Sequence, residues 1–335
     1  MTFKINGRSI GPGKPVYVIA EPGVNHFGSV DKAKTLIRIA SECGADAIKF
    51  QTIDSSEVYS DSFYPELVKI IKDTHLTKNE WLELKKFAKQ LKIDFFSTPA
   101  GEKSLKLLDS IGVPCFKIGS GELNKDYLIK NVAKIGKPTI LSTGMSHLSE
   151  ISSLVDMLKQ ENCPFALLHC NSSYPSPIED ANLSIIPLLG KIFDAPIGYS
   201  DHTIGTEACL AAVALGATII EKHFLLDIPA WDIETKMSST PTELKTMIKQ
   251  IRIIEKSIGI SRKGITPSEK NSRLRMRYSI SAANDISSNT IITRSILTIL
   301  RPGDGISPSD IDLLIGLKIK KNIKKGQTLK WKMFK

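Results

Sequence analysis

The chain has 335 residues, 41% of them hydrophobic, with a formal net charge of +10 and a mean hydropathy of −0.05. This fits a soluble globular protein long enough to bury one large core or two smaller ones; no run approaches the roughly 18 apolar residues of a membrane span. Five cysteines, an odd number with no CxxC pair, argue against a disulfide framework and a zinc ribbon.

The N-terminal MTFKINGRSI lacks the apolar core of a signal peptide, so a cytoplasmic protein is expected. Within it Asn-Gly stands between short alternating runs, which predicts a tight hairpin inside residues 1–15. Then a beat begins. Strand-like runs appear at VYVIAE (16–21), DAIKFQ (46–51), DFFST (94–98), CFKIGS (115–120), PTILSTG (138–144), FALLHC (165–170), PIGYSDH (196–202) and TIIEKH (218–223). Between them VDKAKTLIRIASECG, EWLELKKFAKQLKI and EISSLVDMLKQ carry apolar residues at helical spacing, the first stopping at Gly44. Eight strands alternating with helices predict an α/β fold, a closed (β/α)8 TIM barrel. An open doubly wound sheet fits less well, because no GxGxxG follows the first strand.

The barrel is expected over 1–265. The polar stretch SRKGITPSEKNSRLRMR reads as a linker, placed at 266–281. Beyond it, short strands and turns predict a small, mostly β domain over 282–335, with little core of its own. Its tail, 318–335, holds eight lysines and no acid. Such lysines serve as a solvated strand edge or as a basic surface that attracts an anionic substrate; with only Trp331 and Phe334 interleaved, nucleic acid is not an expected partner, nor is a membrane.

Barrel active sites lie at the C-terminal ends of the strands, and here all eight ends are polar: Glu21; Lys49 and Gln51; Ser97 and Thr98; Lys117 and Ser120; Ser142 and Thr143; His169 and Asn171; Ser200 and His202; Glu221 and His223. Lys49 and Lys117 are embedded in apolar strands, AIKF and CFKI. A buried ammonium needs an anion. Two solutions are open: an internal salt bridge with Glu21 or Glu122, or a bound phosphate or carboxylate shared with the neighbouring hydroxyls. His202 and His223 fall on adjacent strand ends with Asp201 and Glu221 beside them, which suits two nitrogen ligands of one divalent ion. His26 in the first loop is a candidate for positioning substrate, His169 is either core or functional, and His75 and His147 read as surface residues.

The motifs AEPGVNHFG, ADAIKFQT, FFSTP, FKIGSGEL, KPTILSTGM, LLHCNSSYPSP, GYSDHTIG and IEKHFLLD occur in the order found in the sialic acid synthase family, which includes N-acetylneuraminate, legionaminate and pseudaminate synthases. RPGDGISP, LIG and KKGQTL resemble its antifreeze-like SAF domain, so the resemblance covers nearly the whole chain. It implies a transferase that joins phosphoenolpyruvate to an open-chain N-acylated aminosugar, giving a nine-carbon 2-keto acid and phosphate. It further implies Mn²⁺ or Mg²⁺ on His202 and His223, Glu21 as acid/base, and phosphoenolpyruvate held by Lys49, Thr98, Lys117, Ser120, Ser142, Ser172 and Ser200. The sugar would meet Gln51, Glu122, Tyr174 and Asp232. It would also meet Arg301, brought by the SAF domain of the other subunit in a domain-swapped homodimer.

The chain departs from the family pattern in four places. Pro22 follows Ala-Glu, where a small or aliphatic residue is usual. Ala100 and Gly101 replace the Phe-Asp of STPFD. Ser172 stands where the family has Asn, with Asn171 beside it. IPAWDIETKMSS leaves either Asp232 or Glu234 as the sugar-binding carboxylate. The changes cluster on the sugar side, so an aminosugar other than plain N-acetylmannosamine is expected. The weighed alternatives are another phosphoenolpyruvate–sugar aldol synthase, against which the SAF-like tail speaks, and a non-catalytic sugar- or polyanion-binding protein.

Overall fold

The structure, a computed structural model, describes residues 3–60, 62–226 and 235–335. It divides into two compact units, Met1–Gly259 and Ile260–Lys335. The first opens with a hairpin, β1 (Phe3–Ile5) and β2 (Arg8–Ile10), whose turn places Asn6 and Gly7 at φ of 46° and 79°. Two successive positive φ values are what Asn-Gly tolerates and a tight hairpin needs.

The chain then runs β3 (Tyr17–Gly23), α1 (Val30–Cys43), β4 (Ala47–Thr52), α2 (Pro65–Asp73), α3 (Lys78–Gln90), β5 (Asp94–Pro99), α4 (Glu102–Ser110), β6 (Phe116–Ile118), α5 (Asp126–Ile135), β7 (Thr139–Ser142), α6 (Leu148–Gln160), β8 (Phe165–Cys170), α7 (Ile185–Phe193), β9 (Ile197–Asp201), α8 (Glu207–Ala214), β10 (Ile219–His223) and α9 (Pro241–Ile258). Strands β3 to β10 are parallel and close on themselves, β10 pairing with β3. This is the TIM barrel predicted above, and closure rules out the open sheet.

The helices form for the reasons the sequence suggested. In α1, Ser29 accepts the Lys32 N–H at the start, Gly44 ends the helix at φ 88°, and Ala33, Leu36, Ile37 and Ala40 bury one face. Thr77 and Glu80 cap α3 reciprocally, ahead of buried Trp81, Leu84 and Ala88. The strands read as nearly continuous apolar runs because both their faces are covered. Polar side chains inside them are therefore exceptions, and they gather at one end.

Pro22 acts at the C-terminal end of β3. Ala20 pairs with Ile48, but the next paired residue is Gly23, opposite Phe50, so the β3–β4 register shifts across Glu21 and Pro22. A proline has no N–H for the ladder, and a bulge is where a strand accommodates one.

The second unit holds α10 (Lys270–Met276), β11 (Ser279–Ala282) and β12 (Leu297–Leu300), the two strands pairing antiparallel. The stretch 266–281, read from the sequence as a linker, carries this helix and the start of the sheet. The expectation of little internal core is corrected. Ile280, Ile286, Ile292, Leu314, Ile319 and Leu329 belong to one buried cluster within the unit. Short bridges such as Ile286 to Ile323 let this irregular chain close around aliphatic side chains. Among the described residues, no helix is long and apolar enough to cross a membrane.

Candidate active site

Strand register places the polar ends together. His223 lies opposite Glu21 across β10 and β3, Glu221 opposite Ser200 across β10 and β9, and Gln51 opposite Thr98 across β4 and β5. Side chains alternate along a strand, so Ser200, Glu221 and His223 turn into the barrel while Asp201 and Lys222 turn outward. The inward set lines a cavity of about 550 Å³ at the strand ends.

Lys49 and Lys117 line it, both almost fully buried. Lys49 Nζ is 2.7 Å from Glu21 Oε1 and 3.4 Å from Glu221 Oε2, and it donates to Thr98 Oγ1 at 3.4 Å. Lys117 Nζ donates to Ser142 Oγ at 2.7 Å and to Ile118 O at 2.9 Å, with Glu221 Oε1 at 3.7 Å. Ser200 Oγ donates to the same Glu221 oxygen at 2.9 Å. The internal salt bridge posed by the sequence therefore exists, made with Glu21 and Glu221 and not with Glu122. Glu221 stands between two ammonium groups, too far from either for a charge-assisted hydrogen bond of ordinary length.

The charges tune one another. Burial would raise the pKa of Glu21, but His223, Lys49 and the Lys49 and Gln51 hydrogen bonds hold it well below the usual carboxylate range. Burial would lower Lys49, and Glu21 with Glu221 reverse that and raise it. For Lys117 burial wins, helped by the nearby Lys49 charge, and its pKa is lowered. Burial also raises the Glu122 carboxyl.

His202 Nδ1 lies 2.6 Å from Asn171 O. A carbonyl only accepts, so this nitrogen carries the proton and Nε2 keeps its lone pair. Burial, then His223, lowers the His202 pKa to about 4, which keeps the ring neutral at neutral pH. The His202 and His223 rings are 5.4 Å apart, His223 Nε2 is 3.2 Å from Glu21 Oε2, and the Tyr174 ring covers His202 at 4.3 Å. Two imidazoles, one with its tautomer fixed by a backbone carbonyl, could supply two nitrogen ligands to a divalent ion. Among the described residues no group of three or more His, Cys, Asp or Glu could hold a metal. Water or substrate oxygens would complete the shell.

Of the residues singled out from the sequence, Glu21, Lys49, Gln51, Thr98, Lys117, Ser120, Glu122, Ser142, Tyr174, Ser200, His202 and His223 all line the one cavity. Ser172 stands just behind it: a Cβ built on Gly144 would come within 2.3 Å of Ser172 Oγ and 2.9 Å of Ser120 Oγ. The Ser172 hydroxyl is buried without a hydrogen-bond partner. Asp232 and Glu234 lie outside the described residues. Arg301 belongs to the second unit, where its guanidinium covers the Tyr278 ring at 4.9 Å.

His26 does not line the cavity. Its ring is packed edge-on against Phe50 and Trp81, and Nδ1 accepts the Gly28 N–H, so it is a core histidine. His169 Nε2 meets Ala181 O at 2.7 Å and is likewise structural, while His75 and His147 are exposed. The sequence reading missed the part of Glu221 as shared counter-ion. It also missed the apolar flank of Ile53, Val58 and Tyr59, whose loop carries no strand-end signal, and of Ile71 in α2.

A closed barrel whose strand ends gather buried lysines, carboxylates and two imidazoles around one cavity is the architecture of a barrel enzyme. The chain belongs to the NeuB family, which it matches over residues 36–263; residues 277–335 match the SAF domain. It is 41% identical to an uncharacterized protein of Methanocaldococcus jannaschii, covering 98% of this chain and 97% of that protein. It is 35% identical to the N,N'-diacetyllegionaminic acid synthase of Legionella pneumophila, covering 98% and 97%. A crystal structure of N-acetylneuraminic acid (sialic acid) synthetase from Leptospira borgpetersenii, in complex with citrate, superposes with a TM-score of 0.77 at 38% identity, covering 81% of this chain and 95% of that one. The protein is thus a synthase-type enzyme.

Proposed function

We propose that the enzyme condenses phosphoenolpyruvate with the open-chain aldehyde of an N-acylated aminosugar, forming a nine-carbon 2-keto acid and inorganic phosphate. The observation that carries this is the convergence of Lys49 and Lys117 on opposite oxygens of Glu221, ringed by Thr98, Ser142 and Ser200. Two buried ammonium groups and three hydroxyls form a cradle for a small phosphorylated anion, with Ser120 and Ser172 beside it.

In the reaction the C3 carbon of phosphoenolpyruvate bonds to the aldehyde carbon, water adds at C2, and the C2–O bond to phosphate breaks. The former aldehyde oxygen becomes a hydroxyl. When bound by His202 and His223, Mn²⁺ or Mg²⁺ would supply Lewis acidity toward that oxygen. Lys49 and Lys117 hold the phosphate as it departs. Glu21 begins ionised against Lys49; as Lys49 turns to the phosphate, the carboxylate loses that support and its proton affinity rises. This suits it to take the proton of the attacking water or to return one to the alkoxide. Gln51, which donates to Glu21 Oε1 at 3.0 Å, together with Tyr174, Glu122 and either Asp232 or Glu234, contacts the sugar. Arg301 of the partner subunit in a swapped homodimer meets its acyl group. The reaction belongs in the cytosol, where phosphoenolpyruvate is made.

The test is phosphate release from phosphoenolpyruvate with Mn²⁺ across N-acetylmannosamine and the di-N-acetyl trideoxy and tetradeoxy hexoses. Release that requires one of these sugars is expected. No release with any of them contradicts the proposal.

A further inference from the structure

The cavity lining is not all polar. The loop after β4 supplies an apolar flank through Ile53, Val58 and Tyr59, joined by Ala100 just after β5. This loop is fastened to the start of α4. That helix begins behind Gly101, which has no side chain with which to cap it.

The cap comes from elsewhere in the chain. Glu57 Oε1 accepts the Lys103 N–H at 2.7 Å, and Oε2 accepts from Ser104 N at 3.3 Å and Ser104 Oγ at 3.2 Å. A carboxylate on the otherwise orphaned amides of a first turn does what an Asp at the N-cap position does for its own helix. The exchange is also steric. A Cβ at residue 101 would lie 2.5 Å from the Glu57 carboxyl carbon, so a side chain there and Glu57 in this place exclude one another. Two lysines tie the same segments together: Lys125 Nζ donates to Ala100 O at 2.7 Å and to Glu57 O at 3.5 Å, and Lys103 Nζ donates to Ser56 Oγ at 2.8 Å. Val58 follows Glu57 directly, so the seat of the carboxylate sets the seat of the wall.

We propose that Glu57 is a positioning residue for the second substrate: by capping α4 across the fold it holds Ile53, Val58 and Tyr59 against the cavity. The wall they form receives an uncharged, apolar face of the aminosugar. The proposal rests on the reaction proposed above. Phosphoenolpyruvate takes the lysines, so the apolar side chains are left for the sugar.

Steady-state kinetics and thermal unfolding of Glu57→Ala, Glu57→Gln, Gly101→Asp and the double variant Gly101→Asp/Glu57→Ala test it. Residue 101 has an extended backbone, φ −167° and ψ −162°, which Asp adopts without strain. Glu57→Ala should raise the aminosugar KM roughly tenfold, as a small displacement of a positioning wall does, while leaving the phosphoenolpyruvate KM unchanged. It should lower Tm by about 2–4 °C, the effect of a lost cap in a large domain. Glu57→Gln, which keeps an acceptor oxygen, should fall between Glu57→Ala and wild type. Gly101→Asp alone should displace Glu57 and raise the sugar KM without lowering Tm. The double variant supplies the cap within the helix itself, so Tm should return while the sugar KM stays high.

Recovery of both quantities in the double variant, or an unchanged sugar KM in Glu57→Ala, would reduce Glu57 to a helix cap and overturn the proposal. If the double variant does not fold, the KM split in Glu57→Ala decides. A wild-type enzyme inactive with every aminosugar would be a different result, sinking the reaction and with it any role in sugar recognition.

Discussion

Asp201 and Lys222 form an ion pair at 2.7 Å between side chains with no exposure, one residue before His202 and one before His223. They are register partners across β9 and β10. Lys222 Nζ also donates to Thr203 O at 2.6 Å, and Asp201 accepts from Thr203 N at 2.9 Å and Tyr199 OH at 3.1 Å. The pair is thus satisfied on the outer face of the strands, and it clamps the residue that follows His202. Removing one member of such a pair leaves a buried charge, at a cost of about 3–5 kcal/mol.

Lys222→Met should therefore lose about that much stability in urea denaturation, whereas Lys222→Met with Asp201→Asn should recover much of it. Simple additivity of the two single losses would show that they do not act as a pair.

Lys117 is the cleaner of the two lysines to remove, since Lys49 also supports Glu21. Lys117→Met deletes a charge-assisted contact of about 1.5–3 kcal/mol, so phosphoenolpyruvate should bind roughly 10–100-fold more weakly by calorimetry. Because the Lys117 pKa is lowered, wild-type affinity should begin to fall at a less alkaline pH than an exposed lysine would give. Unchanged affinity in the variant would remove the cradle.

His26 predicts a pH dependence of stability. Burial lowers its pKa from 6.5 to about 4. Between these values the unfolded chain binds a proton that the folded one refuses, so stability falls as pH drops through this window, by about 1.4 kcal/mol per pH unit. His26→Gln lacks this contribution. Urea denaturation at pH 6.5 and 4.5 should show a smaller loss in the variant than in the wild type; equal losses would contradict a neutral core imidazole.

His202→Ala should abolish Mn²⁺ binding measured by titration calorimetry. It should leave Tm close to wild type, because the ring faces the cavity and what is lost is the Nδ1 contact to Asn171 O, with a long one to Cys170 Sγ. Undiminished Mn²⁺ binding would dismiss the histidine pair as its site.

The barrel was legible because its signals are local: Gly44 ends α1, Thr77 and Glu80 begin α3, and strands buried on both faces make polar ends conspicuous. For the same reason Lys49, Lys117, His202 and His223 stood out. What escaped depends on contacts distant in sequence. The sharing of Glu221 between two lysines becomes visible only when the barrel closes. Glu57 sits 46 positions from the Lys103 amide it caps, and nothing in its own neighbourhood announces that. His26 misled because a histidine after a strand end resembles a site residue, while its packing against Phe50 and Trp81 is tertiary. The SAF unit was expected to be poor in core because it is small; its aliphatic residues are spread through irregular chain that folds around them.

The most direct measurement is the fate of an ¹⁸O label placed in the oxygen that bridges C2 and phosphorus of phosphoenolpyruvate, followed by mass spectrometry of both products in the presence of the accepted aminosugar and Mn²⁺. Cleavage of the C2–O bond, with the phosphate retained in the lysine cradle, predicts that the label leaves in inorganic phosphate. Label found in the 2-keto acid would mean that the P–O bond breaks instead, and the account given for Lys49, Lys117 and Glu21 would be wrong.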